Sequence, residues 1–156
     1  MHLRFITRFT AILIFVLGAS MAVPLMVSII YHDSSTPALI LSVLVTSLLG
    51  LILFVCTKAK GEIHLNHRDG IAIVTIGWIT AGLFGTLPFL FSGAIPDFTN
   101  AYFESISGFT TTGATILTDI ECLPEGILLW RSETQWLGGM GIIVLSIAIL
   151  PFLGVG

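Results

Sequence analysis

The stretch that decides this chain is Ser105–Asp119, SISGFTTTGATILTD, where three threonines run into a glycine inside a sequence otherwise apolar enough for a bilayer. No helical spacing of apolar residues crosses FTTTGATIL, and its β-branched residues favour an extended backbone. Just before it lies DFTNAYFESISG, Asp97–Gly108, a moderately apolar run of 12 residues. A membrane-crossing helix needs roughly 20, so this run predicts a re-entrant or interfacial helix. Asp97 or Thr99 can cap its start by accepting free backbone N–H groups. Gly108 is expected to end it in the left-handed conformation a helix C-cap prefers. At 1.5 Å per residue such a helix reaches about half the hydrocarbon thickness, so the chain must return to the side from which it entered.

The surroundings fit that reading. Of 156 residues, 55% are hydrophobic and only 10% charged, where a soluble domain carries about 25% charged residues. Four segments are long and apolar enough to span: about Phe9–Tyr31, Pro37–Cys56, Ile71–Phe91 and Ile127–Phe152. The expected fold is therefore an all-α membrane protein, with four transmembrane helices plus one re-entrant pore helix and an extended filter loop. It divides into an N-terminal pair of transmembrane helices (1–56), a basic cytoplasmic loop (57–70), and a single span, pore-helix, span repeat with its filter at 110–113 (71–156). The first segment also has the basic start and apolar run of a signal peptide, but its apolar character continues unbroken beyond a signal core. Pro24 and Pro88 fall inside spans, where kinks are tolerated.

Charge sets the orientation. Arg4 and Arg8 precede the first span, and Lys58, Lys60 and Arg68 sit between the second and third. Basic loops stay cytoplasmic, which places the N-terminus and the 57–70 loop inside. Seven of the nine acidic residues, Asp33, Asp97, Glu104, Asp119, Glu121, Glu125 and Glu133, then fall on the outer side. An acidic outer vestibule concentrates cations. Cys56 and Cys122 show neither metal-ligand nor redox spacing. No Ser/His, His/Glu or paired-carboxylate constellation lies within the spans, so an enzyme is not expected, nor a covalently bound cofactor or a nucleic-acid partner.

Extended backbone at membrane depth is tolerated only where it is buried in protein or lines a water-filled cavity. A row of carbonyl oxygens is also what a dehydrated alkali cation needs in place of its water shell. Thr110, Thr111, Thr112 and Gly113 are accordingly read as one side of an ion-selectivity filter, and a Thr-rich external turn is the competing reading. Glu104 sits inside the pore helix, where a carboxylate is costly unless paired or wet. Arg131 is the one basic residue on the outer side, and the two either form a brace for the pore helix or are each solvated at the interface. Gly138, Gly139 and Gly141 permit close helix approach, either behind the filter or in ordinary packing. Trp130 and Trp136 suit an interfacial belt. His64 and His67 fall in the basic loop, where solvation accounts for them.

FESISGFTTTGATIL followed by LLWRSETQWLGGMGIIVLSIAILPF resembles the first pore repeat of the Trk/Ktr/HKT superfamily of potassium transporters, most closely its bacterial TrkH branch. The two extra N-terminal spans resemble that branch as well. The resemblance implies that backbone oxygens of Thr110, Thr111, Thr112 and Gly113 bind potassium as the transported ion, with the ion held at Thr111 and Thr112. It also implies that a serine matching Gly113 goes with sodium permeation. Family members carry four such repeats around a pseudo-fourfold pore, whereas this sequence has the first. The expectation is a potassium uptake subunit of the bacterial inner membrane, completed by the remaining repeats or by homo-oligomerisation; the alternative is a truncated, non-conducting membrane fragment with a structural or regulatory role. The implied partners are membrane lipid and a cytosolic nucleotide-binding TrkA-type regulatory subunit.

Overall fold

A computed structural model of the protein describes residues 3–57 and 67–149. Most of the expected 57–70 loop, including His64, and the end of the fourth expected crossing lie outside the described residues. Every regular element described is a helix: α1 (Leu3–Ser20), α2 (Ala22–Tyr31), α3 (Thr36–Cys56), α4 (His67–Gly85), α5 (Leu87–Phe91), α6 (Phe98–Phe109) and α7 (Glu125–Ile149).

Three stretches among the described residues are long and apolar enough to cross a membrane: Leu3–Tyr31, Thr36–Cys56 and Arg68–Phe91. The first joins α1 to α2 and the third joins α4 to α5. Each is broken just ahead of its proline, α1 from α2 at Met21 before Pro24 and α4 from α5 at Thr86 before Pro88. That position follows from the pyrrolidine ring, which lacks an N–H and clashes with the carbonyl four residues back. The fourth long helix, α7, has 25 described residues, about 37 Å at 1.5 Å per residue. α1 lies against α3 and α4, α2 lies against α7, and the short α6 is held between α4 and α7.

The buried core gathers Met21, Leu39, Phe89, Phe109, Ile127 and Trp130. Trp130 is fully buried, while Trp136 is 63% exposed, so only the latter suits an interfacial belt. The reason is a hydrogen bond: Trp130 Nε1 donates to the carbonyl of Gly85 at 2.9 Å. Gly85 is the last residue of α4, where carbonyls run out of helical donors, and a buried indole needs an acceptor.

A second polar tie joins the N-terminal pair to α7. Asp33, in the turn between α2 and α3, accepts from the backbone N–H of Gly126 at 2.8 Å, in the first turn of α7. Its other oxygen accepts from Ser28 Oγ, from Ser35 Oγ at 2.7 Å and from Ser35 N–H at 2.8 Å. Asp33 thus works as a helix N-cap supplied from 93 residues away, matching a carboxylate to the free N–H groups and positive dipole end of α7. Gly126 makes the approach possible, since a Cβ there would press on Leu39, Ser28 and Ser35.

Burial pushes the Asp33 carboxyl upward, but the hydrogen bonds from Ser28, Gly126 and Ser35 outweigh it and hold the group below the usual aspartate range. A depressed folded-state pKa stabilises the fold at pH values above the unfolded pKa, and that contribution disappears as pH falls through the folded value. Asp33→Asn would turn an amide N–H₂ toward either Gly126 or the serines, and should cost about 1.5–3 kcal/mol at pH 7. In thermal unfolding of the detergent-solubilised chain, the gap between parent and variant should close below about pH 4. A gap that stays constant across pH would remove the charge from this account.

Candidate functional site

The site is built on α6. Asp97 accepts from the N–H of Asn100 at 2.9 Å and caps the helix, so of the two candidate caps Asp97 is the one used. The helix then runs through Gly108 to Phe109 rather than ending at Gly108. Gly108 is instead required by packing, because a Cβ would strike Thr134 of α7. The left-handed conformation falls on Thr111, φ 55°, and again on Gly113, φ 74°. A β-branched residue with positive φ is an outlier, and such strain persists only where surrounding structure enforces it.

That enforcement is visible in the backbone. The N–H of Thr110 donates to Ile106 O at 2.8 Å, that of Thr111 to Gly108 O at 2.9 Å, and those of Thr112 and Gly113 to Ser107 O at 3.0 and 3.5 Å. All four N–H groups therefore turn inward onto the last carbonyls of α6. The carbonyl of Thr110 accepts from the Thr111 hydroxyl at 2.7 Å. Among the described residues, no hydrogen bond falls on the carbonyls of Thr111, Thr112 or Gly113. Residues 110–116 form an exposed edge that begins as a turn at Thr110 and Thr111, with left-handed backbone at Thr111 and Gly113, rather than as the extended backbone expected of 110–113; it is backed by the buried Glu104, Ser105, Ser107 and Phe109.

Glu104 is the fixed point behind this edge. It is 2% exposed, and Arg131 of α7 donates from Nε to Glu104 Oε1 at 2.7 Å. The Thr115 hydroxyl lies 2.9 and 3.0 Å from its two oxygens, and the N–H of Ile116 reaches Oε2 at 3.2 Å. One carboxylate thereby joins the short helix, the far end of the 110–116 stretch and α7. Ser107 Oγ adds a bond to the carbonyl of Ala114 at 2.5 Å.

The three glycines of α7 do different things. At Gly138 a Cβ would run into the carbonyl of Phe109, so that glycine seats the end of α6. Gly139 lies toward Thr111, with Cγ2 of that threonine 3.8 Å from where a Cβ would stand. Gly141 faces Trp78 of α4 and is not brought to residues 110–116. Thr115, Ser107 and the α4 glycines Gly82 and Gly85, against which Ile106, Ser105 and Phe109 of α6 pack, were not singled out from the sequence. The only signal available for the two glycines was their i, i+3 spacing on an apolar helix.

The fold and site define a helical, multi-pass membrane protein in which the short α6 packs between longer helices and is followed by an irregular, exposed stretch. The chain belongs to the TrkH family, described as cation transport protein, whose profile matches residues 34–156. This is a family of transport proteins rather than enzymes. The chain is 45% identical over 159 residues to the Trk system potassium uptake protein TrkH of Escherichia coli (strain K12), and 43% identical over 157 residues to that of Halomonas elongata. Both alignments cover 100% of this chain and 32% of the relative. The crystal structure of the potassium transporter TrkH from Vibrio parahaemolyticus matches at a TM-score of 0.91 and 38% identity, over 100% of this chain and 33% of that one. The chain thus spans about a third of the length of the relatives it matches.

Breaking a buried ion pair strands the remaining charge at a cost of about 3–5 kcal/mol, against about 0–1 kcal/mol for an exposed pair. Glu104→Gln and Arg131→Gln should each lower the yield of folded protein and its unfolding temperature by that larger margin. The exchanged double variant, Glu104→Arg with Arg131→Glu, should recover part of the loss. Strictly additive losses in that double-mutant cycle would show that the two side chains do not act together.

Proposed function

We propose that the chain supplies one wall of a potassium-conducting pore in a Trk-type uptake system of the bacterial inner membrane. In this reading the backbone oxygens of Thr110, Thr111, Thr112 and Gly113 coordinate the ion, which is held at Thr111 and Thr112. Glu104, Arg131, Gly138 and Gly139 support that wall, and Gly141 belongs to the packing of α7 on α4. The observation that carries it is the backbone polarity of the stretch, with N–H groups consumed by α6 and the carbonyls of Thr111, Thr112 and Gly113 left without donors among the described residues on the exposed edge. The negative dipole end of α6 points at the same place and favours a cation. The N-terminus lies in the cytoplasm by the positive-inside rule, and a cytosolic nucleotide-binding TrkA-type subunit is the regulatory partner the family resemblance implies.

The coverage of a third of each relative favours a second reading for the chain by itself, as a membrane unit that does not conduct alone. One repeat presents a single row of oxygens, and an ion beside it would face lipid on its other sides, where desolvating a charge costs many kcal/mol. The ring is closed by further repeats or further copies.

Potassium uptake in cells lacking their own transporters tests both readings. The chain alone should insert and give no uptake, whereas supplying the remaining repeats should restore it. Uptake by the chain alone, together with a crosslinked species of four copies, would make it a minimal channel instead. Within the complete pore, Gly113→Ser should weaken potassium-over-sodium discrimination. The space around Gly113 is open, so the penalty is conformational: a side chain at φ 74° is strained and drives the peptide to reorient its carbonyl. Unchanged discrimination would mean that this stretch does not line the ion path.

A further inference from the structure

Between α1 and α3 lies a groove of about 340 Å³ lined by Ile12, Phe15, Leu51 and Phe54. That volume falls within the range of ligand clefts, about 300–1,000 Å³, and every lining side chain is apolar. Its rim is cationic. Arg8, Ile12 and Phe15 follow one another at helical spacing along one face of α1, and Arg8 stacks its guanidinium 4.4 Å above the centre of the Phe54 ring. Arg8 Nη1 donates to the carbonyl of Thr57 at 3.1 Å, just past the end of α3. Among the described residues no carboxylate is paired with Arg8. One turn further out, Arg4 is exposed.

We propose that this groove binds one anionic glycerophospholipid, with an acyl chain laid between Ile12, Phe15 and Leu51 and the phosphodiester resting on Arg8, with Arg4 beside it. The arrangement suits that occupant in three respects. The groove opens within apolar spans, where the surrounding medium is acyl chain. The guanidinium is held over Phe54 while its edge retains donors, since a guanidinium carries five N–H groups and Thr57 takes one. A planar fork held in place loses little freedom when it grips a phosphate. Basic pockets between helices at the cytoplasmic side are the places where anionic headgroups collect. This site is independent of the ion path and does not rest on the transport reading.

The test uses the full chain carrying Phe54→Trp, which keeps an aromatic face beneath Arg8 and puts a fluorophore in the groove. The chain is reconstituted in vesicles of equal parts phosphatidylcholine and phosphatidylglycerol, with brominated acyl chains on one lipid or the other. The signal of Trp78, Trp130 and Trp136 is subtracted using the chain that retains Phe54. Brominated phosphatidylglycerol should quench the introduced indole with about fivefold higher relative affinity than brominated phosphatidylcholine, the share expected of one arginine near an anionic headgroup. Arg8→Gln should abolish the preference and Arg8→Lys should keep part of it. Raising the salt concentration on the chain that retains Arg8 should shrink it, a readout that stands even if Arg8→Gln fails to insert. Equal quenching by the two lipids would reduce the groove to ordinary lipid contact and overturn the proposal. Absence of quenching by either would mean that protein, including a second copy, covers the groove, and would overturn it too, as would a preference untouched by Arg8→Gln.

Discussion

The Glu104 carboxylate is the constraint on which the arrangement of α6, α7 and the stretch between them depends. A carboxylate with 2% exposure survives at this depth only because its charge is matched and its oxygens are occupied. Arg131 supplies the charge, and Thr115 and Ile116 supply further donors. Each of those partners belongs to a different part of the chain from α6, so satisfying one buried group fixes three segments relative to one another. The stretch after α6 is pinned at both ends, by the last carbonyls of α6 at Thr110–Gly113 and by Glu104 at Thr115–Ile116. A stretch held that way can keep a threonine at φ 55°, a conformation costing of order 1–3 kcal/mol that an unsupported loop would relax.

The same logic recurs at the N-terminal pair. Lipid offers helices no hydrophobic reason to associate, so close packing of small residues and buried hydrogen bonds must do it. Asp33 and Gly126 give α7 its cap from the first hairpin, and Trp130 and Gly85 tie α7 to the break in the third span. Both ties use backbone groups that a helix terminus leaves unsatisfied. The turn between α2 and α3 is therefore joined to the start of the helix that carries Arg131.

Much of this was legible in the sequence because it is local. The spans follow from runs of apolar residues, the breaks from Pro24 and Pro88, and the start of α6 from Asp97 three residues ahead of the N–H it receives. What was not legible is what depends on contacts between distant segments. Gly108 reads as a helix end because glycine is the usual C-cap residue, and only the position of Thr134 reveals that packing demands it. Trp130 and Trp136 are alike to any hydropathy scale, yet one points at a helix break and the other outward. Nothing in the turn HDSST announces that its aspartate will cap a helix 93 residues later. Glu104 and Arg131 could be paired from sequence only because each was a lone charge in an apolar setting, whereas Thr115 is one threonine among several.

The arrangement of N–H groups and carbonyls also explains why the sequence places threonine, rather than a larger apolar residue, before Gly113. A helix that ends at membrane depth leaves its last carbonyls without donors, and the chain that follows can satisfy them only by doubling back with its own N–H groups turned inward. Every N–H spent on α6 frees the carbonyl of the same stretch to face the other way, so the exposed edge gains acceptors as a direct consequence of capping the short helix. The threonine hydroxyls settle what remains, with Thr110 bonding Ile106 O and Thr112, and Thr111 bonding the carbonyl of Thr110. Cap and acceptor row are thus one structure, with the N–H groups of Thr111, Thr112 and Gly113 held by the carbonyls of Ser107 and Gly108.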